Sequence, residues 1–106
     1  MAEVSIVIPC FNASRFIADT LGSVLGQSRS PDEVIVIDDG STDGSWEIVR
    51  GFGAEVRAAR QENLGASAAR DRGTSMATGE FIQYLDADDL LARDAIARKV
   101  AAAKAS

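Results

Sequence analysis

The sequence predicts an α/β fold in which helices cover both faces of a mainly parallel sheet. Two runs, residues 4–8 and 34–37, are short, β-branched and nearly continuously apolar, which is typical of parallel strands buried on both faces. Segments with helical spacing or helix-favouring composition alternate with four such runs. This β-α-β-α-β-α-β-α order predicts a three-layer sandwich with right-handed crossovers.

The four strands are expected at residues 4–9, 34–38, 55–60 and 81–85. The third is the weakest, because Val56 is its only β-branched residue and β-branched side chains favour extended backbone. The fourth has the composition of a strand inside a sheet. If it forms the edge of the sheet instead, the exposed apolar edge invites self-association, and a homo-oligomer is then expected.

Four helices are expected to follow the strands. The third is rich in small residues, so it can lie close against the sheet, and the fourth is rich in alanine, which favours helix. Glycines mark the expected ends of the second and third helices. The supporting residues, in chain order, are Ile17, Leu21, Val24 and Leu25; then Trp46, Ile48 and Val49 before Gly51 and Gly53; then residues 65–76 before Gly79; and finally residues 91–104.

Composition limits the classes of function. The 106 residues have room for one hydrophobic core, and a formal net charge of -5 argues against nucleic acid as a partner. Cys10 is the only cysteine and histidine is absent. An intrachain disulfide, a zinc site and a Cys–His nucleophile pair are therefore excluded, and Cys10 is expected to be an inert, packed thiol.

The ends of the chain and its hydropathy give expectations about context. No segment approaches the length of a transmembrane helix, and the N-terminus lacks the pattern of a secretory signal. With the lone thiol, this predicts a cytoplasmic protein, and attachment to the periphery of a membrane in a full-length protein is an alternative. The chain stops in an alanine-rich stretch, 101–106, without a clear cap or further strand, which predicts that it is part of a longer protein.

Three carboxylates follow the fourth predicted strand directly: Asp86, Asp88 and Asp89. The carboxyl edge of an open α/β sheet is where ligands bind, and three like charges this close repel one another unless a cation lies among them. Carboxylate oxygens suit Mg²⁺ or Mn²⁺, and Mg²⁺ sites typically combine one or two carboxylates with substrate phosphates. A metal-bound diphosphate substrate is the interpretation we favour, although one of the three could instead cap the next helix.

A second pair of carboxylates, Asp38 and Asp39, follows the second predicted strand. Because the carboxyl ends of parallel strands share one edge, both acidic segments could face one pocket. The alternative is ordinary turn chemistry, in which Ser41 or Thr42 caps the next helix. The occurrence of carboxylates after two strands favours the shared pocket.

The first strand does not end in a glycine-rich phosphate loop. It runs into Pro9, Cys10, Phe11 and Asn12, and the chain contains neither a dinucleotide-binding G-x-G-x-x-G turn nor a P-loop. Phe11 could stack on a planar base or pack in the core. Arg70 could meet a phosphate, pair with an aspartate or lie in solvent.

Taken together, these motifs resemble the family 2 glycosyltransferases over nearly the whole chain. The matching segments are residues 4–12, 36–43, 63–73 and 85–89, in the order that the family shows them. The resemblance implies a GT-A fold with the spatial strand order 3-2-1-4, and a nucleoside-diphosphate sugar as the donor for inverting transfer. It also implies that this donor is of the uridine or thymidine type and that it is bound through Mg²⁺ or Mn²⁺.

The resemblance also implies roles for individual residues. A carboxylate accepts the imide N–H of uracil or thymine, and Asp39 is our first choice for that role. Metal coordination stabilises a leaving nucleoside diphosphate. The implied site comprises Asp38 and Asp39 at the base, Pro9 and Phe11 along the base and ribose, Arg70 beside the nucleotide, Asp86 near the ribose and the metal, and Asp88 as the main metal ligand.

Two departures from the family matter. Asp71 stands where the family usually has Asn after the arginine. Family members also continue well beyond this length, and their further residues carry the acceptor site and the general base. The catalytic general base is therefore expected beyond Ser106, and this chain is expected to be inactive alone. The expected acceptor is a saccharide, a lipid or a protein.

Two other classes of protein compete with this interpretation. A receiver-like signalling domain also has parallel strands and an acidic pocket, but it needs a lysine at the end of a later strand. The lysines here, Lys99 and Lys104, both fall in the predicted terminal helix. The third interpretation is a non-catalytic nucleotide-binding module.

Overall fold

The computed structural model describes residues 3–105, which form a sheet with helices on both faces. Every expected strand and helix is present, and the start of the third strand and that of the fourth helix differ from the predicted bounds by more than one residue. The elements are β1 (Val4–Cys10), α1 (Ile17–Leu25), β2 (Glu33–Asp38), α2 (Ser45–Arg50), a 3-10 turn (Gly53–Glu55), β3 (Arg57–Arg60), α3 (Ala66–Met76), β4 (Phe81–Tyr84) and α4 (Ala95–Ala105).

The sheet is parallel throughout and has the order β3-β2-β1-β4. This confirms the predicted 3-2-1-4 arrangement with the first strand inside the sheet. In register, Cys10 lies opposite Asp38, and Asp38 lies opposite Arg60. The carboxyl ends of β1 and β2 therefore meet at one edge, and the residues after β4 emerge at that edge too.

Two apolar clusters hold the three layers together. On one face, side chains from β1 and β2 pack against α1, α2 and α4, and on the other face they pack against α3. The first cluster includes Ile6, Ile8, Val34 and Val36 from the sheet with Ile17, Leu21, Val49 and Ile96 from the helices. The second comprises Val7, Ile35, Ile37 and Ala69. The predicted three-layer sandwich is confirmed.

Small residues let α3 lie close to the sheet, as predicted. Ala69 is fully buried, and a Cβ added at Gly73 would collide with the side chain of Val7. Any larger residue at position 73 would therefore push the helix away from β1. This close approach sets the position of the whole helix, including the arginine at position 70.

Two predicted starts, of the third strand and the fourth helix, were wrong, and so was the predicted role of Gly79 as the stop of the third helix. The third strand begins at Arg57 rather than at position 55, because a 3-10 turn occupies the residues before it. Gly53 begins this turn with φ of 64°, and Val56 N donates to the Gly53 carbonyl at 3.3 Å. The third helix ends at Met76, and Gly79 does not cap it. Instead, the Gly79 N–H donates to Ser5 Oγ at 2.9 Å.

The fourth helix begins at Ala95, four residues later than predicted. The preceding residues are held in turns by the side chains of Ser23, in α1, and Gln27, two residues after the end of α1. Leu91 N donates to Ser23 Oγ at 3.0 Å, and the Ala92 carbonyl accepts from Gln27 Nε2 at 2.7 Å. A helix from position 91 would bond Ile96 N to the Ala92 carbonyl. Gln27 bonds both of these groups instead, because its Oε1 also accepts from Ile96 N at 3.1 Å.

The strand β4 forms one edge of the sheet, because it pairs only with β1 among the described residues. Its side chains Ile82 and Tyr84 are 36% and 45% exposed. An apolar sheet edge is thus present. In the described part of the chain, no helix has the length and apolar character needed to cross a membrane.

Candidate functional site

A cleft of about 420 Å³ opens at the carboxyl edge of the sheet, between the ends of β1, β2 and β4. Five of the seven predicted site residues line it: Pro9, Phe11, Asp39, Asp86 and Asp88. The two acidic segments, 47 positions apart between Asp39 and Asp86, thus face one space. The remaining lining comes from Cys10, Asn12, Ala13, Phe16, Asn63, Gly65, Ala66 and Ala87.

The structure does not bring Arg70 into this cleft. It lines a neighbouring cleft of about 460 Å³ together with Tyr84 and Asp89. The two clefts share Pro9 and Asp86. Asp39, Asp86 and Asp88 therefore line one cleft, while Arg70 lies in the adjoining cleft.

Asp38 lines neither of these clefts and is fully buried. Its Oδ2 atom accepts from Ser41 N at 3.1 Å and lies 3.3 Å from Arg60 Nε. Its Oδ1 atom is buried with no hydrogen-bond partner among residues 3–105. Asp38 holds the turn after β2 and lies against the guanidinium of Arg60.

Asp39 is only 4% exposed, and three donors hold its carboxylate. Oδ1 accepts from Gln61 Nε2 at 2.9 Å and from Leu64 N at 2.8 Å, while Oδ2 accepts from Gly65 N at 3.0 Å. Burial by itself raises the pKa of Asp39, but these hydrogen bonds outweigh burial and hold the pKa below its usual value. The group is therefore ionised at neutral pH. Oδ2 keeps a lone pair for one more donor.

The glycine after Asp39 is required by the backbone. Gly40 has φ of 78°, a left-handed conformation that residues with a Cβ rarely adopt. A Cβ there would also lie 3.0 Å from Asn63 N. The turn after β2 and the segment 61–65 can therefore pack together, which brings the donors of that segment to Asp39.

Hydrogen bonds between residues 12–14 and 41–45, which we call the loop clasp, join the turns after β1 and β2. Three backbone N–H groups of the first turn donate to side chains of the second. One backbone N–H of the second donates back to Asn12, whose own φ is 47°. The bonds are Asn12 N to Ser41 Oγ (2.9 Å), Ala13 N to Ser45 Oγ (2.9 Å), Ser14 N to Asp43 Oδ2 (3.0 Å) and Thr42 N to Asn12 Oδ1 (2.9 Å).

The loop clasp corrects the predicted helix cap. Neither Ser41 nor Thr42 caps α2, whose first residue, Ser45, has its N–H bonded to Asp43 Oδ1 at 3.0 Å. The Ser45 hydroxyl also donates to that oxygen at 2.6 Å. These hydrogen bonds lower the pKa of Asp43, the one from the Ser45 hydroxyl most of all. The turn that carries Phe11 is thus fixed to the acidic turn beside it.

Two aromatic side chains flank the cleft. Phe11 is 51% exposed, so it is not a core residue, and Phe16, at the start of α1, is 47% exposed. No sequence signal distinguishes Phe16, because an aromatic residue next to Ile17 fits an ordinary helix pattern. Cys10 lies between them and the core as a buried thiol, as predicted, and burial with the nearby charge of Asp38 raises its pKa to about 11.

The acid loop, residues 86–89, presents three exposed carboxylates. Asp86, Asp88 and Asp89 each offer an oxygen, and these oxygens lie within 4.8 Å of one another. Within residues 3–105, no side-chain hydrogen bond or ion pair occupies them. None of them caps α4, which begins at Ala95. A set of three free, hard oxygen donors fits Mg²⁺ or Mn²⁺.

With this geometry in place, the family can be tested directly. The sequence matches the model of glycosyl transferase family 2 over residues 5–106. The chain belongs to this family. A relative in Escherichia coli K12, "Uncharacterized glycosyltransferase YibD", is 40% identical over 90 residues, which cover 82% of this chain and 26% of the relative. Glycosyltransferase GlyG of Streptococcus pneumoniae is 37% identical over 97 residues, covering 88% of this chain and 32% of GlyG.

Solved structures share the fold. Mannosyltransferase PcManGT from Pyrobaculum calidifontis, in complex with GDP-Man and Mn²⁺, superposes with a TM-score of 0.86 at 31% identity, over 92% of this chain and 31% of that one. TarS of S. aureus, residues 1–349 in complex with UDP-GlcNAc, gives 0.81 at 30% identity, over 95% of this chain and 30% of TarS. The expected GT-A fold is confirmed. The chain spans about a quarter to a third of the length of these relatives.

Proposed function

We propose that residues 1–106 form the donor-binding part of a glycosyltransferase that binds a uridine- or thymidine-type nucleoside-diphosphate sugar for inverting transfer. The observation that carries the proposal is the single cleft lined by buried, ionised Asp39, exposed Phe11 and the exposed carboxylates of Asp86 and Asp88. One end of this cleft suits a planar base with a hydrogen-bond donor. The other suits a cation and the phosphates it would hold.

In this proposal, Asp39 and Phe11 select the base. The remaining acceptor capacity of Asp39 Oδ2 suits the imide N–H of uracil or thymine, whereas cytosine presents an acceptor at that ring position. The Phe11 ring offers a face for stacking, and Pro9 lines the same cleft. Asp38 supports the turn instead of meeting the base, because its carboxylate is fully buried against Ser41 and Arg60.

Asp88 and Asp86 are the proposed metal ligands, and Asp89 is a third candidate. When bound, Mg²⁺ or Mn²⁺ would supply Lewis-acid stabilisation of the leaving nucleoside diphosphate. Arg70 stands in the adjoining cleft beside Asp86, where its guanidinium suits a phosphate oxygen or the sugar side of the donor. PcManGT was solved with Mn²⁺ and GDP-Man, and TarS with UDP-GlcNAc, so comparing uridine with guanosine diphosphate tests the donor type.

The acceptor site and the general base are proposed to lie beyond Ser106. Every acidic residue lining the 420 Å³ cleft already has a role at the base, the ribose or the metal. We therefore expect the 106-residue chain to bind nucleotide weakly and to transfer no sugar at a detectable rate. Robust transfer by this chain to any added saccharide, lipid or protein acceptor would contradict this. The cytoplasmic location stays a prediction.

The donor site is tested by thermal unfolding with Mn²⁺, with uridine diphosphate, and with both. The pair should raise the melting temperature more than the sum of the separate shifts, since each supplies ligands or charge that the other lacks. Asp88→Ala should remove the metal dependence, and Asp39→Ala should weaken nucleotide binding and relax the preference for uridine over cytidine diphosphate. Asp71→Ala, an exposed carboxylate of α3 outside both clefts, is the control. If Asp88→Ala responds to the pair as the parent does, the metal role is wrong.

Self-association through β4 is proposed as a separate property. The exposed edge carries Ile82 and Tyr84, and an unpaired apolar strand favours pairing with a second copy. Sedimentation should show a concentration-dependent oligomer that Ile82→Lys abolishes. Leu64→Lys, at an apolar side chain that is 65% exposed away from β4, should leave the oligomer unchanged. A clean monomer at high concentration would count against the proposal.

A further inference from the structure

Three polar side chains face the segment 87–96: Thr20 and Ser23 in α1, and Gln27 two residues after its end. Two of them are unusual for their burial: Thr20 is 0% exposed and Gln27 is 6% exposed. Buried polar groups are rare unless each is hydrogen-bonded. The hydrogen-bond partners of these three side chains therefore show which segment they hold in place.

All three side chains bond to the backbone of that one segment. Thr20 Oγ1 donates to the Ala87 carbonyl at 2.7 Å, and Ser23 Oγ accepts from Leu91 N at 3.0 Å. Gln27 bonds at two places, with Nε2 donating to the Ala92 carbonyl at 2.7 Å and Oε1 accepting from Ile96 N at 3.1 Å. The path from β4 to α4 is thus fixed at its start by α1 and at its end by Gln27, just after α1.

We propose that Thr20 is a positioning residue for the metal ligands of the acid loop, a role that rests on the proposed metal site. Ala87, 7% exposed, lies between Asp86 and Asp88, so a bond to its carbonyl fixes the backbone that carries both carboxylates. The carboxylates themselves have no such restraint among residues 3–105. Because the three like charges repel one another, a loop without the Thr20 bond would spread them and bind a cation more weakly.

Two substitutions at position 20 separate the hydroxyl from its packing. Thr20→Val keeps the shape and removes the donor, and Thr20→Ser keeps the donor and removes a methyl group. We expect Thr20→Val to weaken Mn²⁺ binding, followed by electron paramagnetic resonance with uridine diphosphate present, by about three- to tenfold, the usual effect of one hydrogen bond. Thr20→Ser should stay within about twofold of the parent, and the affinity for uridine diphosphate without metal should not change in either.

Ser5→Ala is the matched control. Ser5 is also 0% exposed, and its hydroxyl donates to Glu33 Oε1 at 2.8 Å at the amino end of the sheet, away from the cleft. Ser5→Ala should lower the melting temperature of the protein without changing its affinity for Mn²⁺, because this substitution affects stability alone. If Thr20→Val does not fold, Ser23→Ala, which releases Leu91 N, should show the same loss of metal affinity with unchanged metal-free nucleotide binding.

The outcomes divide clearly. Equal Mn²⁺ affinity in Thr20→Val and the parent, or equal weakening in Thr20→Ser, overturns the role of the hydroxyl. If the parent binds no Mn²⁺, the proposed metal role is wrong. Amide hydrogen exchange then tests by itself whether Thr20 positions the acid loop. Faster exchange at Asp88 and Asp89 in Thr20→Val than in Ser5→Ala supports it, and equal exchange overturns it.

Discussion

The two acidic segments at the carboxyl edge of the sheet differ in how their carboxylates are held. After β2, Asp38 and Asp39 are buried, and both accept hydrogen bonds from the protein. After β4, Asp86, Asp88 and Asp89 are exposed and, among residues 3–105, without side-chain partners. The same residue type thus follows two strands of one sheet in two opposite electrostatic situations.

This difference separates carboxylates that stabilise the fold from carboxylates that we propose as ligands of a metal. A buried, hydrogen-bonded carboxylate contributes to stability because its removal leaves donors without partners. Clustered exposed carboxylates contribute nothing of that kind and repel one another until a cation arrives. Mutations in the turn after β2, at Asp38 and Asp39, should therefore lower stability, whereas mutations in the acid loop should weaken metal binding.

The largest effect is expected for Asp39→Ala in denaturant unfolding. Removing this carboxylate leaves Leu64 N, Gly65 N and Gln61 Nε2 without their acceptor, which should cost about 2–3 kcal/mol of unfolding free energy. Asp86→Ala should change it by less than about 0.5 kcal/mol. Equal losses for the two variants would mean that the contrast between the turn and the loop is false.

A smaller loss is expected for Ser45→Ala, which breaks the buried bond of the loop clasp. Ala13 N loses its acceptor, and the cost should be about 1–2 kcal/mol. The turn carrying Phe11 should loosen, so the affinity for uridine diphosphate should fall while Mn²⁺ binding alone does not. Ser28→Ala, which removes an exposed hydroxyl bonded to Asp94 Oδ1 at 2.6 Å, is the control and should lie within about 0.5 kcal/mol of the parent.

Acid titration should sharpen the contrast further. The pKa of Asp39 is lowered in the folded protein, because its hydrogen bonds outweigh burial. Its contribution is therefore complete above the unfolded value, near 3.8, and is lost as pH falls through the lower folded value. Unfolding free energy should decline below about pH 4 in the parent and decline less in Asp39→Asn. A residual slope is expected from Asp43, whose pKa the Ser45 hydroxyl also lowers. Identical slopes in the parent and Asp39→Asn would contradict the assignment.

The smallest effect is expected for Asp88→Asn without metal. Removing one of three neighbouring negative charges should raise unfolding free energy by about 0.2–0.5 kcal/mol at low ionic strength, and salt should abolish the gain. Chemical denaturation at two salt concentrations measures it. A clear destabilisation would show that Asp88 has a structural partner, as Asp39 does.

Most of the fold followed from local patterns. Continuous β-branched runs identify buried parallel strands, and the small residues of α3 predicted its close approach at Gly73. The errors arose at boundaries, where a contact from elsewhere in the chain competes with propensity. The alanine-rich pattern predicted α4 from position 91, but Ser23 and Gln27 hold that stretch in turns.

The candidate site was predictable in location and less so in detail. Two acidic segments after parallel strands predict one shared edge, and the cleft lined by Asp39, Asp86 and Asp88 agrees. The family resemblance favoured Asp39 at the base, but residue type alone did not separate Asp38 from Asp39, because each could follow the strand equally well. Arg70 fell in the adjoining cleft, since the contact of Gly73 with β1 sets the position of α3.

The sequence by itself determined the order of the elements, the parallel sheet and the meeting of carboxylates at its carboxyl edge, because side-chain periodicity and strand direction are local properties. Only the tertiary structure decided which carboxylates are held and which are free. The partners of Asp39 come from 22 to 26 residues away, and the bond from Thr20 to the acid loop spans 67 residues. Hydrogen bonds of that range form only when the layers pack, so no local pattern contains them.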